Sequence, residues 1–133
     1  MMKMKKQKEK KEEGQAIVEF ALALPICLLI LCGILDFGWI YVNQYKVEYA
    51  AFQGARYGAI NIESQAEYEL TENIRSRAVS NLYGNGEDAD IDIVYGSDNV
   101  SVTVVYPVRT LTFVGSTLFG TYYDASSTSV STY

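Results

Sequence analysis

Gly14-Gln15-Ala16-Ile17-Val18-Glu19-Phe20-Ala21-Leu22-Ala23-Leu24-Pro25-Ile26-Cys27-Leu28-Leu29-Ile30-Leu31-Cys32-Gly33-Ile34-Leu35 decides how the rest of the chain is arranged. A lysine-rich hydrophilic leader ends at Gly14, and an apolar run begins at once. Phe20 to Leu35 carries no charge; Ala16-Ile17-Val18 extend the run backward past Glu19, and Phe37-Gly38-Trp39-Ile40-Tyr41-Val42 extend it forward past Asp36. A bilayer core takes about 20 mostly apolar residues as helix, so residues 15–42 are predicted to span a membrane. Pro25 removes one backbone donor inside that helix and is expected to kink or loosen it, which membrane helices tolerate when neighbouring groups satisfy the freed carbonyl. Glu19 is the anomaly. An acid is costly in hydrocarbon, and an ionisable residue in such a segment is a functional candidate by default.

On the N-terminal side, Lys3, Lys5, Lys6, Lys8, Lys10 and Lys11 outnumber Glu9, Glu12 and Glu13. The positive-inside rule then puts the N-terminus in the cytoplasm and the remainder outside. Three parts are expected: a basic cytoplasmic leader (1–14), a membrane helix (15–42) and an extracytoplasmic domain (43–133). Trp39, Tyr41 and Tyr45 suit the aromatic belt at the far interface. An ordinary cleaved secretory signal fits poorly, because the apolar run is too long and no Ala-x-Ala-like site precedes Asp36. The residues before Cys27 and Cys32 are Ile26 and Leu31, too large for a lipoprotein signal. The two cysteines stand five apart, point in different directions on a helix and are not expected to pair. They read as small, soft side chains in the helix.

The net charge of −5 over 133 residues averages two opposite parts. Beyond Phe37 the acids outnumber Lys46, Arg56, Arg75, Arg77 and Arg109, so nucleic acid is not an expected partner; phosphate contact needs a basic face. There is no histidine, which removes the commonest general base and metal ligand. Beyond the apolar run there is no cysteine, Lys46 is the one lysine outside the leader, and no glycine-rich phosphate loop follows a predicted strand. No catalytic set, metal or cofactor is called for. Glu87, Asp88, Asp90 and Asp92 invite a calcium reading, but their spacing departs from the EF-hand loop, and a solvated acidic turn is the better account.

The helix is expected to continue outward, with Phe37, Ile40, Tyr41, Gln44, Tyr45, Glu48, Tyr49, Phe52 and Arg56 close to helical spacing. Gly54 and Gly58 form Gly-x-x-x-Gly, a helix-pairing device in lipid. Beyond the apolar run, close packing against the domain is favoured, with Arg56 as an ion-pair or hydrogen-bonding residue beside it. Ser64-Gln65-Ala66-Glu67 has capping-box form and opens a second helix to about Leu82, with Tyr68, Thr71, Ile74, Arg75, Ala78, Val79 and Leu82 on one side. Gly84-Asn85-Gly86 ends it. Ile91, Ile93 and Tyr95 alternate, then Val100, Val102 and Val104, around the turn Gly96–Asn99; this predicts a hairpin. Pro107 is expected to end the second strand or mark an edge. Leu111 to Phe119 reads as a loop or short helix on the sheet, and Thr121 to Val130 as a last strand. The fold class is α+β, with the sheet against the second helix and the outer part of the first.

Gly14 followed by Glu19 at the head of an apolar helix resembles the processing site of type IV prepilins. The stretches Gln15-Ala-Ile-Val-Glu19-Phe20-Ala-Leu-Ala-Leu-Pro25, Gly33-Ile-Leu-Asp36-Phe37-Gly38 and Ala50-Ala51-Phe52-Gln53-Gly54-Ala55-Arg56-Tyr57 resemble the TadE-like pseudopilins of tight-adherence pilus systems. The family usually carries Glu where this chain has Asp36. The resemblance covers Gly14 to about Ala59 and continues more weakly through Val104-Val105-Tyr106-Pro107. It implies a pilin-like fold and cleavage by a prepilin peptidase between Gly14 and Gln15. Glu19 would then attract the new α-ammonium of a neighbouring subunit, next to Phe20, because opposite charges in a low-dielectric medium interact strongly. The implied partners are the membrane, the peptidase, other pilin subunits and the assembly platform, and the implied destination is an extracellular adhesive pilus.

Other readings stay open at this stage. Glu19 can snorkel or stay protonated without a partner, and Gly14 can be an incidental break between tail and helix. Asp36 suits interfacial anchoring as well as a filament contact. The whole chain can be an unprocessed single-pass anchor displaying a small adhesion or envelope domain; a tethered enzyme is disfavoured.

Overall fold

The computed structural model describes residues 2–82 and 88–133, with side chains from residue 14 onward. One helix, α1 (Met2–Asn61), runs unbroken through both Gly14 and Pro25. It is followed by α2 (Glu67–Val79), β1 (Asp90–Tyr95), β2 (Asn99–Arg109), α3 (Phe113–Phe119) and β3 (Tyr122–Thr132). The strands form one antiparallel sheet in the order β1-β2-β3. The α+β class expected from the sequence is therefore present: a long apolar N-terminal helix, a further helix and a small antiparallel sheet. The expected helix end at Gly84-Asn85-Gly86 and Glu87 of the acidic turn lie outside the described residues.

The head has two layers. The outer half of α1 lies across β2 and β3, and α2 packs beside it. The core between the layers is Val47, Ala50, Ala51 and Ala55 from α1, Leu70, Ile74 and Ala78 from α2, and Ile91, Val100, Val102, Val104, Val108 and Ala125 from the sheet. The alternation in β2 puts Val100, Val102 and Val104 on one face, all fully buried, as a strand's period of two requires. Ile91 pairs with Val104 and Ile93 with Val102, in the register that keeps both strands' apolar side chains on the core face. The β1–β2 turn closes with the Gly96 amide donating to the Asn99 carbonyl at 2.8 Å. On the outer face Thr103 and Thr128, cross-strand partners, share a hydroxyl hydrogen bond of 2.8 Å.

Four local expectations are corrected. Ser64 does not cap α2: its hydroxyl donates back to the Asn61 carbonyl, and Ala66 is the N-cap, without a side-chain bond. The first turn of α2 instead carries Glu67 and Glu69, charges that favour a helix N-terminus. The buried stripe of α2 is Leu70, Ile74 and Ala78, while Tyr68 is exposed. Leu70 rather than Tyr68 faces inward because it falls one turn before Ile74. Of the two expectations for Pro107, it does not end β2, but it does stand at an open edge. The strand continues to Arg109, with Pro107 opposite Asp124, but pairing with β1 stops at Val105. A missing donor toward that open side therefore interrupts no ladder. Finally, α3 packs chiefly on α1 rather than on the sheet.

Candidate functional site

The helix that dominates the sequence has two working faces. From Gly14 to Leu35 almost every side chain is exposed, Phe20 and Leu22 at more than 65 % among them. Within the described residues this is the one helix long and apolar enough to cross a membrane. At its head Gln15 donates its side-chain amide to the Glu19 carboxylate at 3.3 Å, an i, i+4 pair on one side of the helix. Nothing lies within 4 Å of where a Cβ would stand on Gly14. Glu19 and Phe20 are both exposed, so Gln15, Glu19 and Phe20 form a contiguous open surface. Pro25 sits within the same continuous helix.

From Asp36 outward one face of α1 turns inward. Asp36, Asn43, Val47, Ala50, Ala51, Gly54, Ala55, Gly58 and Ala59 are buried. The aromatic series Phe37, Tyr41, Tyr45, Tyr49 and Phe52 lies on the other side and is exposed. Side-chain size explains the choice. Alanine and glycine let the helix backbone approach a valine-covered sheet, whereas a tyrosine face would hold it off. A Cβ on Gly54 would stand 3.3 Å from both Ile74 Cγ2 and Val102 Cγ1, and one on Gly58 would stand 2.9 Å from Ile74 Cδ1 and 3.0 Å from Val100 Cγ1. The Gly-x-x-x-Gly spacing thus meets α2 and β2 of the same chain. Arg56 is exposed and points away from that seam. Gln65 and Tyr57 link the helices at the far end, the Gln65 amide donating to the Tyr57 hydroxyl at 3.2 Å, with the Arg77 guanidinium 5.1 Å from the Tyr57 ring centre.

Asp36 is the polar centre of the junction, and it is only 1 % exposed. One carboxylate oxygen accepts the backbone amides of Leu111 at 3.0 Å and Thr112 at 2.9 Å. The other accepts the Gly115 amide at 2.9 Å and the Thr112 hydroxyl. Thr112 is the N-cap of α3, and its own oxygen also receives the Gly115 amide at 3.3 Å. One orphan amide of the first turn of α3, that of Gly115, and the two amides that lead into the helix are thus satisfied by a carboxylate from a different helix. Gly115 is required there, since a Cβ would collide with the Asp36 carboxylate. Its burial leaves Asp36 no surface for a filament contact, and its bonds are internal to the chain. A buried carboxylate needs donors, and the α3 segment supplies them.

Two neighbours complete this junction: Trp39, expected in an aromatic belt, turns inward instead, and Asn43 was not singled out by the sequence. Trp39 is partly buried against the core and donates its indole N–H to the Arg109 carbonyl at 3.0 Å. Asn43, buried, donates its amide to the Trp39 carbonyl at 2.8 Å. One turn on, Gln44 donates to the Ser126 carbonyl at 2.8 Å. The signal for Asn43 was its place one turn before Val47, on the small-residue face rather than the aromatic one. Asp88, Asp90 and Asp92 are exposed, and no three acidic or cysteine side chains gather into a cation site among the described residues. Cys27 and Cys32 are free thiols.

These features define a class: one helix able to cross a membrane by length and composition, its outer half sunk into a small α+β head. The family model described as TadE-like protein matches residues 14–56. The resemblance to the TadE-like family is therefore borne out over the helix from Gly14 to Arg56, the apolar surface and most of the small-residue face together. That family is structural and suggests a membrane protein associated with a Tad pilus. Neither the curated proteins nor the solved structures give a match to the chain.

Proposed function

We propose that this chain is a minor pilin or pseudopilin, cleaved by a prepilin peptidase after Gly14 and taking part in assembly of an extracellular adhesive pilus. The observation that carries the reading is the family match, which starts at Gly14 and so takes in the apolar run and its lone acid, Glu19. The leader stays cytoplasmic, residues 15–42 enter the membrane, and the head lies outside. Gly14 offers its backbone without a Cβ to obstruct a protease, and its surroundings are open. Cleavage leaves Gln15 first and Glu19 fifth. The new α-ammonium of one subunit then neutralises Glu19 of another, in a medium where an unpaired charge is heavily penalised. The pairing of Gln15 with Glu19 within one chain keeps the carboxylate hydrogen-bonded before that partner arrives. Other pilin subunits and the assembly platform are the partners this requires.

Intact-mass measurement of the membrane form, from cells that contain the peptidase, tests the cleavage. A chain beginning at Gln15 is the expected result; a chain that retains the leader while filaments form normally refutes it. Glu19→Ala is expected to be cleaved yet to assemble poorly. One observation favours a second reading, an unprocessed anchor: α1 continues through Gly14 without a break. That reading requires Gly14→Leu to be without effect on the chain's mass or its incorporation.

A further inference from the structure

We propose that α3 and its flanking loop form a second membrane-contacting element, which dips into the outer leaflet beside the α1 span. The inference rests on the reading of α1 as membrane-embedded.

Three contacts order the two segments along each other. Trp39 meets the carbonyl of Arg109, Asp36 binds the amides of 111, 112 and 115, and Leu29 shares an apolar hollow with Phe113, Val114, Thr117 and Leu118. Descending α1 from Trp39 to Leu29, the chain after β2 descends alongside. At 1.5 Å per residue, Leu29 lies about 10 Å below Asp36. Within the 15–42 membrane segment, a hydrocarbon core of about 20 residues counted from Ala16 ends near Leu35 and the rest lies at the interface, so α3 lies below that core boundary and not above it.

The chemistry of the segment fits lipid. Residues 110–123 carry no charge and lie between Arg109 and Asp124. Leu111, Phe113, Leu118 and Phe119 are all more than half exposed, Phe113 at 85 %. They continue the exposed surface of α1, because Leu29 belongs to that surface and to the α3 hollow at once. Several backbone amides and the Thr110, Thr112, Ser116 and Thr117 hydroxyls find partners within the chain, which lowers the cost of facing hydrocarbon. Asp36 takes three amides, Thr110 pairs with the carbonyls of Gly120 and Thr121, and the Ser116 and Thr117 hydroxyls donate back to the Phe113 carbonyl at 2.9 Å. The carboxylate of Asp36 is thereby enclosed by donors at the level where water gives way to lipid. The occupant is the acyl and headgroup boundary of the outer leaflet, and the exposed Tyr122 and Tyr123 stand where interfacial aromatics belong.

The test uses the full chain with Cys27→Ser and Cys32→Ser, reconstituted in vesicles of phosphatidylethanolamine and phosphatidylglycerol. Single cysteines at Leu118, Leu28 or Ser97, all exposed positions, carry a nitroxide. Its collisions with oxygen, which partitions into lipid, are compared with those of a water-soluble nickel complex. The expected result is an oxygen-to-nickel ratio at 118 that matches position 28 and exceeds position 97. A ratio at 118 equal to that at 97, with 28 still on the lipid side, overturns the insertion of α3 and leaves the α1 span standing. Shielding of 118 from both reagents means a second copy covers it, and overturns the proposal too. A water-like ratio at 28 removes the membrane reading itself. Phe119→Cys repeats the measurement at a second exposed position, so a local defect at 118 cannot decide the outcome.

Discussion

The seam between α1 and the sheet is the most quantitative feature of the head, and Gly58 is where to load it. Gly58→Ala adds one methyl group. In an exposed helix that change stabilises by about 1 kcal/mol through helix propensity. Here the new Cβ would stand 2.9 Å from Ile74 Cδ1 and 3.0 Å from Val100 Cγ1, whereas carbon pairs prefer about 3.5–4.0 Å. Something must retreat by roughly 0.5–1 Å. Val100 is β-branched and stiff at χ1, and it sits on the strand that pairs on both sides. Overpacking of this kind costs about 1–3 kcal/mol. The net expectation is a loss of about 0–2 kcal/mol where simple propensity gives a gain. Ile74→Val alone costs about 0.5–1.5 kcal/mol, but it deletes the Cδ1 atom that the new methyl meets. The double variant is therefore expected to be more stable than the sum of the singles by about 1 kcal/mol. Gly54→Ala, with its nearest contacts at 3.3 Å, is expected to be close to neutral. Urea unfolding of the full chain in micelles, followed by the fluorescence of Trp39, the chain's one tryptophan, measures all four. A Gly58→Ala protein more stable than the parent, or strict additivity with Ile74→Val, would refute the close-packing account.

Asp36→Ala is expected to speed hydrogen exchange at the amides of Leu111, Thr112 and Gly115 while leaving Val102 and Val104 protected; unchanged exchange at the first three contradicts the capping geometry. Asp36→Asn retains one acceptor oxygen and should fall between. Trp39→Phe removes the donor to the Arg109 carbonyl and is expected to destabilise the head by about 1–2 kcal/mol. The urea midpoint read by circular dichroism checks this, and no shift would mean that the indole bond contributes nothing.

The hairpin was legible because alternation in Ile91-Asp92-Ile93 and Val100-Ser101-Val102-Thr103-Val104 has a period that only a strand uses. The aromatic series on α1 had a helical period too, but period alone does not say which face meets the sheet. Alanines, glycines and aromatics all tolerate burial, and the choice fell to the face that allowed the closer approach. The missed cap at Ser64 has the same character. A four-residue pattern offers a capping box, yet Asn61, at the end of α1, presented its carbonyl to the hydroxyl first.

The sequence by itself determined the long apolar helix, the acid near its head, the α+β class and the strand alternation, because these depend on local composition and period. Only the tertiary structure decided what Asp36 does. Its partners lie 75 to 79 residues further along the chain, and nothing local to either segment announces the other. A carboxylate in an apolar helix demands donors, but which donors reach it depends on how β2 delivers α3 back alongside the helix. That is a property of the packed fold and not of any stretch of sequence.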